Sequence, residues 1–120
     1  MGKHEDLLAY QISYGLVKKV FIISKGFPKE ELFGLTDQIR RSSRSVCVNI
    51  VEAYRKRLYP KHFVSKLSDA DGECSETLVW LNMAYDFNFL DNKTYIELKE
   101  EYERVGRLIG TMMKIPEKFC

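Results

Sequence analysis

Basic side chains in the middle of the chain are the residues best suited to bind a polyanion. An arginine guanidinium is planar and can donate two hydrogen bonds to one phosphate, so a row of arginines suits nucleic acid. If this segment is a helix with 100° per residue, its first four arginines lie within an arc of about 100° around the helix axis. The predicted RNA- or DNA-binding surface comprises Arg40, Arg41, Arg44, Arg55, Lys56, Arg57 and Lys61.

The arginine arc contains no aromatic residue, so we expect contact with the phosphate backbone rather than base stacking. The alternative is that the arginines pair with carboxylates. Asp69, Glu73 and Glu76 occupy what we predict to be the outer face of the third helix. There they could meet Arg40 and Arg44 of a neighbouring subunit, and the protein would then be an oligomeric scaffold that binds only protein.

One enzyme hypothesis arises from His62. The spacings Arg57-x4-His62 and Arg55-x6-His62 resemble the short signature of HEPN ribonucleases, in which the histidine acts as acid or base. The motif spans Pro60, in a connection between helices, so we predict no catalytic residue. Neither His62 nor His4 follows a glutamate at the Glu-x-x-His spacing of a di-iron bundle, so we expect no metal and no cofactor.

Asn49 and Glu52 are polar residues at the border of the apolar stripe on the second helix. A half-buried Asn–Glu pair usually satisfies its own hydrogen bonds and fixes the alignment of the helices around it. Glu52 also precedes Lys56 at the i,i+4 spacing that allows an ion pair along one helix. We therefore predict a structural role for both residues.

The first helix is predicted from Glu5 to Lys25, because Gly26 and Pro28 follow it. Two apolar stripes run along it, about 130° apart by helical arithmetic. A monomeric bundle needs only one such stripe, so the other predicts contact with a neighbouring subunit. The core stripe comprises Ala9, Ile12, Leu16, Val20 and Ile23. The predicted oligomer interface comprises Tyr10, Tyr14, Val17 and Phe21.

Three further helices complete the chain. We predict Thr36 as the N-cap of the second, Pro60 at the first position of the third, and Asp91 as the N-cap of the fourth. Four helices with short connections predict an all-α fold, an antiparallel up-down-up-down four-helix bundle. We expect a single domain over residues 1–120, with an ordered core from about 5 to 115.

Charge and composition narrow the classes of partner. Residues 36–66 carry a net charge of +6 and residues 67–104 carry −7, a polarity that favours a charged partner. No apolar run approaches the roughly 20 residues of a membrane span, and the N-terminus shows no signal-peptide pattern. We therefore expect a cytoplasmic protein with no membrane partner. Cys47, Cys74 and Cys120 form no C-x-x-C pair, and we expect two core residues and one loose terminal thiol.

Three stretches of the sequence resemble a known family over about Asp6 to Met113. They read LLAYQISYGLVKKVFIIS, FPKEELFGLTDQIRRSSRSVCVNIVEAYRKR and LSDADGECSETLVWLNMAYDFNFL. The central stretch resembles the pattern of the four-helix-bundle family named after 23S rRNA intervening-sequence proteins. The residues of this chain that fit the pattern include Phe27, Pro28, Gly34, Leu35, Thr36, Gln38, Arg40, Arg41, Asn49 and Glu52.

This resemblance implies a small bacterial protein, encoded within an rRNA intervening sequence or by a free-standing gene. It also implies similarity to the accessory variability proteins of diversity-generating retroelements. Those are pentamers of four-helix bundles that bind a reverse transcriptase and nucleic acid through basic surfaces. By resemblance we expect a homo-oligomer, a pentamer, with RNA or DNA and a reverse transcriptase as partners.

Overall fold

A computed structural model describes residues 2–120; Met1, the first residue of the predicted domain, lies outside the described residues. All regular structure within this range is helical, and the predicted all-helical fold with four helices is confirmed. The helices are α1 (Leu8–Ser24), α2 (Leu35–Arg55), α3 (Pro60–Asp86) and α4 (Asn92–Lys114). Single 3-10 turns lie at His4–Asp6, Lys29–Glu31 and Pro116–Lys118.

Two predicted helix starts are confirmed. α3 has Pro60 at its first position, where proline's missing N–H would have no partner in any case. Asp91 is the N-cap of α4, and its Oδ1 accepts a hydrogen bond from the Thr94 backbone N–H at 2.7 Å. This hydrogen bond lowers the pKa of Asp91. Both starts therefore follow from local chemistry that the sequence displays.

The predicted start of α2 was wrong by two residues. Thr36 lies inside the helix and is buried, and the N-cap is Gly34. The side chain of Glu31 takes over the capping, because its Oε1 accepts a hydrogen bond from the Leu35 N–H at 3.3 Å. A carboxylate at a helix N-terminus also interacts favourably with the helix dipole. The cap therefore comes from the preceding 3-10 turn rather than from the threonine.

One hydrophobic core receives residues from all four helices. Each fully buried side chain of valine, leucine, isoleucine or phenylalanine stabilises the fold by about 1.5–3 kcal/mol relative to exposure. Two residues predicted in the core stripe of the first helix, Ile12 and Ile23, are only partly buried at the edge of this core. Its largest fully buried side chains include Leu16, Val20, Ile39, Ile50, Phe63, Leu67, Leu81, Tyr102 and Ile109.

The helix contacts decide which face of α2 reaches solvent. α2 packs against α1 and α3, and α4 packs against the same two helices. Near the start of α2, Thr77 Oγ1 donates a hydrogen bond to Ser42 Oγ at 2.8 Å. Further along α2, Lys66 Nζ donates to Asn49 Oδ1 at 3.3 Å. Later residues of α2 thus meet earlier residues of α3, and the remaining side of α2 is open.

Within residues 2–120, no helix is long and apolar enough to span a membrane.

Candidate nucleic-acid interface

The open side of α2 carries two arginines without a carboxylate partner. Arg44 and Arg55 are exposed, and neither forms an ion pair with any residue from 2 to 120. By helical arithmetic they point within about 20° of each other and lie about 16 Å apart along the axis. Val48 lies between them and is 52% exposed. The two guanidiniums can therefore contact well-separated phosphates of one strand.

Arg40 belongs to the predicted row, but it is tied to α1. Its Nε donates a hydrogen bond to Ser24 Oγ at 2.7 Å, and its Cζ lies 4.9 Å from the centre of the Phe21 ring. A guanidinium is attracted to the face of an aromatic ring by the electron-rich π-system. Arg40 therefore helps to hold α2 against α1.

Arg41 follows Arg40 directly, but its guanidinium turns to α3 of the same chain. Its Nη2 lies 2.7 Å from Glu76 Oε1 and 3.6 Å from Glu73 Oε2. The hydrogen bond with Glu76 raises the pKa of Arg41. The predicted placement of Glu73 and Glu76 on the outer face of α3 was wrong, because both are half-buried on the flank of α3 that packs on α2. Asp69 lies 3.7 Å from Lys66 of its own helix.

The two carboxylates beside Arg41 differ in pKa. Burial and the neighbouring Glu76 raise the pKa of Glu73. Burial alone would also raise the pKa of Glu76, but hydrogen bonds with Arg41 and Glu73 outweigh it and lower the value. Glu76 is therefore the carboxylate that balances the charge of Arg41.

Asn49 and Glu52 share one partner across the contact between α2 and α3. Lys66 Nζ donates to Asn49 Oδ1 at 3.3 Å and lies 2.8 Å from Glu52 Oε2. The Asn49 amide also donates to the carbonyl oxygen of Ser45 at 2.9 Å. The predicted i,i+4 pair of Glu52 with Lys56 was wrong, because Glu52 reaches the lysine of α3 instead. Both predicted structural residues thus contact the same cation of the neighbouring helix.

Arg57 lies just beyond the end of α2, against Tyr54. Its Nε donates to the Tyr54 carbonyl oxygen at 2.8 Å, and its Cζ lies 3.5 Å from the centre of the Tyr54 ring. His62, the other half of the ribonuclease-like spacing, packs its ring beside Tyr59, with the ring centres 5.7 Å apart. Each half of that short motif therefore has its own aromatic neighbour.

A shallow cleft of about 190 Å³ opens at the turn between α2 and α3. Lys66 in the cleft is already balanced by Glu52 at 2.8 Å and Asp69 at 3.7 Å. Lys56 and Lys61 have no ion pair among the residues that the structure describes, so they keep the cleft positive. The residues lining this lysine cleft are Lys56, Lys61, His62, Ser65, Lys66 and Asp69.

Four of the seven predicted basic residues have neither an ion pair nor a side-chain hydrogen bond among residues 2–120, namely Arg44, Arg55, Lys56 and Lys61. We call them the unpaired basic surface. Arg40, Arg41 and Arg57 each have a defined partner inside the protein. The predicted basic residues therefore divide into cations with a partner inside the protein and cations without an ion pair in the described residues.

The predicted oligomer stripe of α1 is partly open to solvent. Tyr14 and Phe21 are exposed, whereas Tyr10 and Val17 are half-buried. Arg40 of α2 lies over the Phe21 ring. The α1 stripe and the side of α2 that carries its arginines (the arginine face) are therefore on the same side of the molecule. An apolar surface and a basic surface therefore adjoin each other.

The arginines of α4 lie in a different electrostatic setting. Arg104 and Arg107 border a shallow surface concavity together with Glu97, Glu100 and Glu101. The acidic side chains offset the two positive charges locally. α4 thus provides exposed arginines that are similar in type to those of α2 but lie outside its basic surface.

Sequence reasoning missed Lys66 and Tyr59. Lys66 was counted only as a charge, although its i,i+3 spacing to Asp69 places it on the polar flank of α3. Tyr59 is 58% exposed in the turn before Pro60. An aromatic residue in a short connection between helices has little core to join, and that signal could have identified it.

The cysteines are as expected: Cys47 and Cys74 are buried, Cys120 is exposed, and all three are free. Burial raises the pKa of the Cys74 thiol to about 12. In the described part of the chain, no group of three His, Cys, Asp or Glu side chains is placed to hold a metal ion.

Comparisons with known proteins place the chain in a family. Residues 5–111 match the family model described as 23S rRNA-intervening sequence protein. A similar fold occurs in the crystal structure of a protein with unknown function from the S23 ribosomal protein family of Bacteroides thetaiotaomicron VPI-5482. The TM-score is 0.81 at 22% sequence identity, covering 89% of this chain and 99% of that chain. No curated protein matches the chain.

Proposed function

The chain belongs to the family of 23S rRNA-intervening sequence proteins, and we propose that it is a non-enzymatic, oligomeric protein that binds the phosphate backbone of RNA or DNA. The observation that carries the proposal is the unpaired basic surface. Arg44, Arg55, Lys56 and Lys61 have neither an ion pair nor a side-chain hydrogen bond among residues 2–120. By contrast, Arg41 pairs with Glu76, Lys66 pairs with Glu52, and Arg40 donates a hydrogen bond to Ser24. Cations left in water are available to replace the counterions of a polyanion.

The scaffold that we infer for this surface is an antiparallel up-down-up-down four-helix bundle. Support comes from the order of contacts between helices. Ser42 of α2 pairs with Thr77 of α3, and the later Asn49 pairs with the earlier Lys66. The residue number thus rises along α2 as it falls along α3, as expected for antiparallel helices. In such a bundle, one helix can hold a fixed row of arginines at its surface.

Salt dependence is the sharpest test of backbone binding. For single strands, the logarithm of the binding constant falls with the logarithm of salt concentration by about 0.7 per phosphate contact, so four contacts give a slope of roughly −3. We expect generic RNA and single-stranded DNA to bind with similar slopes. Fluorescence anisotropy of a labelled strand across a salt series measures this directly.

A matched pair of variants assigns the binding to α2. Arg44→Gln/Arg55→Gln should weaken binding at low salt and make the salt slope shallower by roughly 1 to 2, as expected for two lost phosphate contacts. The control Arg104→Gln/Arg107→Gln removes the same charge from α4 and should leave the slope unchanged. Equal losses in both variants would show a diffuse charge effect, and no binding by the unaltered protein would refute the proposal.

The runner-up is an oligomeric scaffold that binds only protein. The exposure of Val48 between Arg44 and Arg55 favours it, because an apolar side chain in that row suits a protein surface. If the scaffold hypothesis is right, Arg44→Gln lowers the mass of the oligomer, and the unaltered protein binds neither RNA nor DNA. Light scattering and the anisotropy series together distinguish the two functions.

The same RNA also tests for cleavage. We expect it to remain intact during long incubation with the protein, because the proposed role is binding. Cleavage that disappears in His62→Ala would instead support the ribonuclease alternative, in which His62 acts as acid or base.

A further inference from the structure

The turn between α2 and α3 presents an aromatic ring beside the lysine cleft. Tyr59 is 58% exposed and its neighbour Leu58 is 80% exposed. Exposing two large apolar side chains in succession is unfavourable in water. A surface that combines such side chains with cations is typical of a site for a ligand that has both a flat apolar part and a negative charge.

The backbone of Tyr59 is fixed on both sides. Its N–H donates to the carbonyl oxygen of Lys56 at 2.9 Å, and its own carbonyl accepts from the N–H groups of His62 and Phe63 at 2.9 and 3.0 Å. The ring of His62 packs beside the Tyr59 ring at 5.7 Å between centres. The ring is therefore presented by an anchored turn, and little conformational entropy is lost when a ligand stacks on it.

An apolar shelf adjoins the lysine cleft. Tyr59, Pro60, Lys61 and His62 line a shallow depression of about 400 Å³. Lys61 and His62 also line the lysine cleft, so the two depressions share a wall. A planar group on the shelf would thus lie next to the cationic cleft.

We propose that this turn binds single-stranded nucleic acid, with one unstacked base on Tyr59 and an adjoining phosphate held by Lys56 and Lys61. The inference rests on the proposed function and deepens it by naming the class of nucleic acid. Bases in a duplex are stacked on one another and cannot lie on a protein ring, whereas a single strand exposes them. For the arginine row of α2 we keep the prediction of backbone contact without stacking, and we replace it at this turn.

The charge balance of the cleft fits a nucleotide. The charge of Lys66 is balanced by ion pairs with Glu52 and Asp69. Lys56 and Lys61 are therefore the cations available to a phosphate. A base on an aromatic side chain adds affinity that is largely independent of sequence. Specificity for single strands, rather than for a particular base, is therefore expected.

The test compares strands that differ only in their bases. The probe is a labelled oligouridylate of about 12 nucleotides, within the usual site size, and its partner is a ribose-phosphate strand of equal length without bases. We expect the full-length protein to bind the base-containing strand about tenfold more tightly, the difference that one stacked base contributes. A duplex of the same length should bind no more tightly than the strand without bases.

Variants locate the effect. Tyr59→Ala should abolish the preference for bases while leaving affinity for the strand without bases unchanged, and Tyr59→Phe should keep the preference. Phe33→Ala is the matched control, since Phe33 is an exposed aromatic residue just before the start of α2, at the other end of that helix. Lys61→Gln should weaken both strands alike, because the lysine contacts phosphate. Circular dichroism checks that each variant remains helical.

Three outcomes would overturn the inference. Equal affinity for strands with and without bases would refute base stacking while leaving backbone binding intact. Failure to bind either strand would remove the proposed function together with the inference. Binding of vesicles rich in anionic lipid that depends on Tyr59, with no preference for bases, would assign the turn to a membrane surface instead.

Discussion

Arg41 and Arg44 belong to two regions of α2 that handle charge in opposite ways. Arg41 lies in the contact between α2 and α3, where Glu76 is 2.7 Å away and Glu73 is 3.6 Å away. Arg44 lies on the open face and has no ion pair in the described chain. By helical arithmetic the two side chains differ in direction by only about 60°. A small rotation about one helix thus separates a cation that holds the fold from one that faces water.

The same division extends along α2 and has a physical cause. Charged and polar groups that leave water need partners, because an unpaired buried charge is costly. Between α2 and α3 the partners exist: Lys66 meets Asn49 and Glu52. On the open face the arginines keep their hydration and adjoin the exposed Val48. The cations in the contact between α2 and α3 therefore have partners in the same chain, whereas the open face has both charged and apolar surface exposed to solvent.

The largest effect should separate the core side of α2 from its open side. Ile50 is fully buried in the core and Val48 is half exposed. Ile50→Ala should lower the free energy of unfolding by about 2–5 kcal/mol, because it removes buried methylene groups and leaves a cavity. Val48→Ala should change it by no more than about 0.5 kcal/mol. Urea unfolding followed by circular dichroism measures both.

A large loss of stability in Val48→Ala would change the interpretation of the open face of α2. It would mean that Val48 is buried in the assembled protein, and that the open face of α2 is a subunit contact. Repeating the unfolding at several protein concentrations distinguishes the cases, since only an assembled state gains stability with concentration.

Much of the fold follows from local signals in the sequence. The spacing of apolar residues gave the four helices, and Pro60 and Asp91 marked two of their starts. The start of α2 was misplaced because Glu31 caps the helix from a preceding turn, and a carboxylate three or four residues upstream is less distinctive than a threonine at the expected position. Local chemistry was predictable where the capping residue adjoins its helix.

The site was less predictable than the fold. Helical arithmetic placed the arginines on one side of α2, but it could not say which of them α1 and α3 would reach. That depends on the partner residues Ser24 and Glu76, which lie 16 and 35 positions from their arginines in the chain. Lys66 was missed for the same reason, since its partners Asn49 and Glu52 belong to another helix. To predict which side chains pair across helices, one must know how the helices pack, and the periodicity of the sequence does not give that.

A change in assembly is the next expected effect, on the side of the molecule where the α1 stripe adjoins the arginine face. Tyr14→Glu places a charge in the middle of the predicted oligomer interface and should lower the mass seen by light scattering without loss of helical circular dichroism. Tyr14→Phe is the control and should keep the mass, because it preserves the apolar ring. Phe21→Glu should act like Tyr14→Glu. An unaltered protein that is monomeric at high concentration would refute the interface.

The smallest effect concerns the paired arginine. Arg41→Gln should lower the free energy of unfolding by up to about 1 kcal/mol, the usual range for a partly exposed ion pair. Arg44→Gln should leave stability unchanged and instead weaken nucleic-acid binding. Chemical unfolding of the two variants at neutral pH provides the comparison, and equal stability losses would contradict the division between the two regions.

The pH dependence then shows whether the ion pair itself is responsible. The pKa of Glu76 is lowered in the folded protein, so its contribution is present above the ordinary value of 4.5 and is lost as the pH falls through the lower folded value. The raised pKa of Glu73 acts with the opposite sign, because protonation there favours the folded state. In Arg41→Gln, protonation of Glu76 at acid pH should cost less stability. The free energies of unfolding of the variant and the unaltered protein, plotted against pH, should therefore converge as the pH falls below 4.5. Curves that stay parallel down to strongly acidic pH would mean that Arg41 stabilises the helices through packing rather than through its charge.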